Sequence, residues 1–324
     1  MNSSTTISNS AGSPRQFVCL LLGVTAGFLL LLGALNYWVD PYNRFGNNRL
    51  GVFISAEREA KPVLLQRYPH DALIIGDSKA AMIPASHVNG FRFFNASFAG
   101  ATLEEEYYCI EHFARNLKLV VLEADYLQVD PPTNKGDIFA PLGFSSTFEF
   151  LLGSKTVEYS VRTITEHKAG TAASILPDGS SDASGWFKLY DSEDKAARQW
   201  QLARLMGAFD HAPSLRTSHY YPKIAAILRQ RKIPCVVFVP PMDQELLDRL
   251  QTGAHQKIFN QWMSDLGKSF ANVVDLSSGP YSGTENFFKI DPYHFKPDTA
   301  IRLMNEKVIP VALKAIANNN ASPP

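Results

Sequence analysis

The residues best able to do chemistry stand near opposite ends of the sequence: Gly76-Asp77-Ser78 and Asp291-Pro292-Tyr293-His294. The run Leu73-Ile74-Ile75 ahead of the first string is apolar and of strand type, and the residues after Ser78 can open a helix. A serine on such a turn is held out of the sheet, where nearby backbone N–H groups can stabilise an oxyanion. Ser78 is therefore a candidate nucleophile. A hydroxyl needs a base to take its proton, and His294 can take it and later return it. Asp291, three residues before His294, can fix the imidazole tautomer and stabilise the imidazolium. Taken singly, each residue has a plainer reading. Gly-Asp-Ser is an ordinary turn, Asp-Pro starts turns, and His294 can be a surface group before the next helix. Joint placement after strands of one series favours the chemical reading.

The elements that must position these residues alternate along the chain. Apolar runs predict strands at 72–76, 91–94, 118–125, 235–239 and 272–276. Leu119-Val120-Val121-Leu122 is continuously apolar, as suits a strand covered on both faces of a parallel sheet. Thr102 and Glu105 form a capping box for a helix to about Leu117. Further helices are predicted over 79–86, 216–231 and 243–269, and from Pro297 to about Ala317. The pattern gives an α/β fold: a three-layer αβα sandwich with a mostly parallel five-stranded sheet. In such a sheet the loops after the strands gather along one edge, so Ser78, Asn95, Asp125 and the Asp291–His294 segment can meet there. Pro240-Pro241 and Asp243 lie on that edge too. Between about 128 and 215 the rhythm breaks, with helical segments expected at 155–168 and 193–206. This long insertion is expected to cover the site as a lid or substrate platform.

The 324 residues are 45% hydrophobic and carry 31 basic and 31 acidic side chains. A balance without basic runs argues against nucleic acid as a partner. Three scattered cysteines and eight scattered histidines give neither a disulfide framework nor a metal spacing. No cofactor is expected. Residues 17–39 hold no charged side chain and are long enough to cross a bilayer, with Tyr37 and Trp38 at the end. This run predicts an uncleaved single-pass anchor after a disordered 1–16. Residues 40–69 read as a juxtamembrane linker with a surface helix at 55–68 interrupted at Pro62. The soluble domain spans 70–317, and 318–324 is tail.

Gly76-Asp77-Ser78, the run Phe94-Asn95-Ala96-Ser97-Phe98-Ala99-Gly100-Ala101-Thr102 and Asp291-x-x-His294 together resemble the SGNH/GDSL hydrolase superfamily, over roughly 70–317 without the insertion. The single anchor followed by Asn36-Tyr37-x-x-Asp40-Pro41-Tyr42 is similar to single-span bacterial SGNH proteins linked to exopolysaccharide O-acetylation. The resemblance implies an SGNH/flavodoxin-like sheet, a Ser78–His294–Asp291 triad, and an oxyanion hole from the backbone N–H groups of Ser78 and Gly100. It implies an esterase or O-acyltransferase acting on acyl esters, acetyl above all, of a cell-surface polysaccharide. The domain would face the periplasm from the inner membrane, with a membrane-bound O-acyltransferase as partner. One position departs from the pattern. The third block should supply an asparagine donor, whereas this chain has Leu122-Glu123-Ala124-Asp125, and an ionised Asp125 donates nothing. That loss points to acyl transfer rather than fast hydrolysis, or to a weak or accessory glycan-binding protein. Asn95, Asp125 and Asp243 are expected to touch substrate or order loops.

Overall fold

The computed structural model describes residues 13–128, 136–140, 144–170, 172–210 and 219–321. Residues 1–12, Pro131-Pro132, Pro141 and the end of the tail, on which some expectations fall, lie outside them.

Five strands form one all-parallel sheet: β1 (Ala72–Ile75), β2 (Phe93–Asn95), β3 (Leu119–Glu123), β4 (Cys235–Val239) and β5 (Val273–Asp275). Their order is β2-β1-β3-β4-β5. Ile74 stands beside Asn95, Ile75 beside Leu122, Leu122 beside Val237, and Val239 beside Asp275. Side chains alternate across a strand, so each apolar strand feeds two cores. Leu73, Ile75, Val120, Leu122, Val237 and Val239 enter one apolar cluster. Ala72, Ile74, Leu119, Val121, Val236 and Phe238 enter another. The order reverses at β1, between β2 and β3. In open parallel sheets that reversal opens a crevice at the strand C-termini.

The expected helices fall close to their places, with shifts at the ends, whereas helices Phe144–Leu152 and Ala183–Tyr190 were not expected. The helix expected at 79–86 is one turn, Ser78–Ala81, followed by a 3-10 turn at Ala85–His87. The long helix expected at 243–269 is two, Gln244–Leu250 and Gly253–Ser269. The last helix runs from Pro297 to Ala321 and contains a π-helical stretch at Met304–Val308.

The N-terminal apolar helix runs Pro14–Val39, and it is long and apolar enough to cross a membrane. Ser13 caps it in a capping box with Gln16, and Pro14 occupies the first turn. Asp40, in a left-handed conformation at φ 46°, ends it.

Residues 40–69 differ from the linker expected. The Asp40 carboxylate accepts the N–H groups of Arg44 (2.6 Å), Phe45 (2.8 Å) and Asn47 (3.1 Å), which makes the turn a built corner. Helix Glu57–Arg67 passes through Pro62 without a break and buries Ala60, Lys61, Pro62, Val63, Leu64 and Leu65. Its charges suggested a surface helix, yet the Lys61 ammonium is fully buried and donates to the carbonyls of Asn95 and Gly179. Burial lowers that ammonium's pKa to about 8. An interior proline costs about 3 kcal/mol, which burial of several apolar side chains offsets.

The insertion contains helices Phe144–Leu152, Ser154–Ala169, Ala183–Tyr190 and Lys195–Asp210, together with strand Ser174–Ile175, which pairs antiparallel with Val52–Phe53. Its first two helices pack on the apolar N-terminal helix. Among its described residues, the later part reaches the loop that carries His294, through Tyr190, Glu193 and Arg198.

Candidate active site

Ser78 opens the helical turn that follows β1, with Asp77 as N-cap. The Asp77 carboxylate accepts the Lys79 N–H at 2.9 Å. Beneath the turn lies Glu123, the last residue of β3. One of its oxygens accepts the N–H groups of Asp77 and Ala80, each at 3.0 Å. Gly76 is what allows this approach, since a Cβ there would stand 2.5 Å from Glu123 Cβ and 2.8 Å from Ala80 Cβ. With the N–H groups of Asp77, Lys79 and Ala80 spent, the Ser78 N–H is the one on this turn with no hydrogen bond among the described residues.

His294 sits on the loop after β5, closed by a bridge between Phe287 and Phe295. Its Nε2 lies 2.9 Å from Ser78 Oγ, and its Nδ1 lies 2.7 Å from Asp291 Oδ2. Asp291 can only accept, so Nδ1 carries the proton and Nε2 faces the serine hydroxyl as an acceptor. The other Asp291 oxygen accepts the Tyr293 N–H at 2.9 Å. Burial works to raise the Asp291 pKa, but His294 and these hydrogen bonds outweigh it and hold the carboxyl below the usual range. Ser78 and His294 lie 216 positions apart in the chain and share one hydrogen bond.

A second layer of charge lies under the relay. Asp77, Glu123 and Asp125 are all buried, with ligand oxygens within 4.8 Å of one another. That is the donor set of a cation site, but a cation of the protein's own already serves it. The buried Lys79 ammonium pairs with Asp125 at 3.0 Å and lies 4.1 Å from the centre of the Tyr293 ring. The Tyr293 hydroxyl donates to Asp125 and lies 3.3 Å from Asp77. Three carboxylates facing one ammonium cannot all ionise cheaply in a buried site. Burial and the Asp125 charge push the Asp77 carboxyl up to about 6. Burial and both neighbours push Glu123 well above the carboxylate range. Burial also acts upward on Asp125, but Lys79 and Tyr293 outweigh it and bring it below its ordinary value.

The remaining expected residues fall in different places. Asn95 ends β2 and donates to the carbonyls of Ala80 (2.8 Å) and Ile83 (2.9 Å) while accepting the Ser97 N–H (3.0 Å). It pins the segment after the nucleophile to the second loop. Asp125 sits in the carboxylate cluster and offers no donor toward Ser78. Gly100 is exposed, has φ +64°, and its carbonyl accepts from Arg58 at 3.1 Å. Asp243 caps helix Gln244–Leu250 and pairs with Arg198 at 2.9 Å. Among the described residues no hydrogen bond joins Gly100 or Asp243 to Ser78, His294 or Asp291.

Sequence reasoning missed Glu123, Lys79, Tyr293 and Trp186. Glu123 left a trace, as a lone carboxylate closing an otherwise apolar strand. Trp186, on helix Ala183–Tyr190, left none. Its ring centre lies 5.6 Å from the His294 imidazole, and the Tyr190 ring stacks with it at 5.4 Å. The Tyr190 carbonyl accepts the Ile290 N–H at 3.0 Å, fastening this helix to the histidine loop.

The fold and the site define an α/β protein with a five-stranded all-parallel sheet and a hydrogen-bonded Ser-His-Asp arrangement at the sheet's order reversal. Comparison with protein-family models and with curated proteins gave no match.

Proposed function

We propose that this protein is a membrane-anchored serine esterase or O-acyltransferase of SGNH type, acting on acyl esters of a cell-surface polysaccharide. The observation that carries the reading is the Ser78–His294–Asp291 relay. The strand order, which in sequence terms is 2-1-3-4-5, and the cores on both faces support a three-layer, flavodoxin-like sheet.

In this mechanism Ser78 Oγ attacks the acyl carbonyl while His294 Nε2 takes its proton. Asp291, ionised, stabilises the imidazolium. The Ser78 N–H is free to meet the oxyanion, joined in this reading by that of Gly100. The tetrahedral intermediate collapses, His294 protonates the departing alkoxide, and an acyl-serine remains. A sugar hydroxyl or water then attacks that ester, giving its proton to His294, which returns it to Ser78. The acyl group is acetyl in this reading, and the domain faces the periplasm beside a membrane-bound O-acyltransferase.

The test is turnover of an activated acetyl ester by the full-length protein, with mass-spectrometric trapping of the acyl-serine. Ser78→Ala is expected to lower kcat/KM by at least about 10³-fold. Equal turnover by the variant and the wild type would sink the proposal.

A second reading is a catalytically weak glycan-binding or accessory protein of an acyltransferase complex. Asp125 favours it. The position where the resemblance expects an asparagine donor holds a carboxylate engaged by Lys79 and Tyr293. One missing oxyanion donor costs on the order of 10²–10³ in rate. Glycan binding without acyl-serine formation would support this reading over the first.

A further inference from the structure

Helix Phe144–Leu152 lies against the end of the apolar helix Pro14–Val39. The fully buried Asn36 side chain donates to the carbonyls of Leu151 (2.9 Å) and Phe150 (3.5 Å), and accepts the Ser160 hydroxyl (2.8 Å). Those carbonyls belong to the last turn of a helix, where carbonyls have no intrahelical N–H partner. The contact also runs deeper into the apolar helix. A Cβ on Gly33 would stand 3.7 Å from Leu152 Cδ2.

Depth along the apolar helix follows from its rise. Gly33 precedes the final residue, Val39, by six positions, or about 9 Å. A hydrocarbon core of about 30 Å takes roughly 20 helical residues. Counted from Phe17, those residues end at about Asn36. Gly33 therefore falls inside the core boundary if the helix spans, and Leu152 must share its depth. Interfacial helices enter this zone by about 5–10 Å.

The side chains agree with that depth. Phe148 and Leu152, four apart and so on one face, are 53% and 39% exposed. Phe150 turns inward against Tyr42 and Phe45. Arg44 donates to Thr147 Oγ1 at 2.9 Å, placing a cation beside the helix at headgroup level. Exposed Tyr37 and Trp38 end the apolar helix, and such rings favour the interface. A polar Asn36 in lipid would be costly unless bonded, and here it is bonded to the neighbouring helices.

We propose that helix Phe144–Leu152 is a second membrane-contacting element, seated in the interface of the bilayer that holds the anchor, with Phe148 and Leu152 against the acyl chains. The proposal rests on Pro14–Val39 spanning that bilayer. It makes the insertion a foot that fixes the height and tilt of the catalytic domain.

The test uses the full chain in vesicles of phosphatidylcholine and phosphatidylglycerol, in a background with all three native cysteines replaced (Cys19→Ala, Cys109→Ala, Cys235→Ala). Single cysteines at Leu22→Cys, Phe148→Cys, Leu152→Cys and Lys168→Cys carry a bimane label. Labels at 148 and 152 are expected to be quenched by doxyl-phosphatidylcholine and shielded from iodide, as at 22, while 168 shows the reverse. Iodide quenching at 148 and 152 equal to that at 168, with 22 still shielded, would overturn the proposal and leave the anchor standing. Shielding from both quenchers would overturn it in favour of a covering protein surface. Iodide access at 22 would remove the span and the proposal with it.

Discussion

Glu123 has no part in a serine relay, yet its carboxylate holds the turn that presents Ser78. It satisfies two N–H groups that would otherwise be buried without partners. Glu123→Ala is expected to cost about 3 kcal/mol of stability and to lower kcat more than it raises KM. Thermal unfolding and steady-state kinetics together check this. Gly76→Ala should show the same kinetic pattern, since its Cβ would displace that side chain. Unaltered kinetics in both variants would show that the turn holds without this carboxylate. Asp77 gives a pH prediction. Its carboxyl rises on folding from 3.8 to about 6. The stability it contributes is present below about pH 4 and is lost as pH rises through about 6. Asp77→Asn removes that loss, so its melting temperature relative to wild type should climb between about pH 4 and pH 8. Asp125 and Asp291, whose carboxyls lie below their ordinary value, act in the opposite sense, and their stabilisation is lost on acidification.

The elements of the insertion divide the work. Helices Phe144–Leu152 and Ser154–Ala169 brace the apolar N-terminal helix, while Ala183–Tyr190 leans on the histidine loop. Among the described residues of the insertion, the later part is what lies beside His294. Trp186 packs on the imidazole that must keep its Nε2 on Ser78. Small misplacements of a base are costly, so Trp186→Ala is expected to lose about 10-fold or more in kcat/KM. Trp186→Phe should retain most of the activity. Full activity in the alanine variant would show that the loop alone orients His294. The strands were readable from their apolar runs, and the central ones, Ala72–Ile75 and Leu119–Glu123, are buried along their whole length, the pattern of a strand covered on both faces. The helix at 183–190 went unread because it begins inside the Ser/Gly/Asp-rich stretch 178–185, which carries loop signals. Gly185 serves a close approach instead, since a Cβ there would meet the Ala173 backbone N at 2.8 Å.

At the scale of the whole molecule, the apolar helix joins the domain through a rigid corner. Asp40 gathers three backbone N–H groups, and Asn36 ties the helix to two others. Deleting residues 1–36 is expected to leave the sheet and its activity on a soluble ester largely intact. Hydrogen exchange in helix Phe144–Leu152 should rise markedly, because its terminal carbonyl partners are gone. Exchange unchanged from the full chain would show that this helix is held by the soluble domain alone.

The sequence by itself determined the strands, the apolar helix, and which serine, histidine and aspartate could form a relay. Those are local facts, written in runs of apolar residues, a turn string and an Asp-x-x-His spacing. Only the tertiary structure decided what surrounds them. The strand order put β1 beside β3, and so set Glu123 under Gly76 and Asp125 beside Lys79. The insertion's return placed Trp186 on His294, and the end of the apolar helix found Leu151 and Ser160. These contacts join residues tens to hundreds of positions apart. No local pattern encodes them, because they exist only once burial has fixed which surfaces meet.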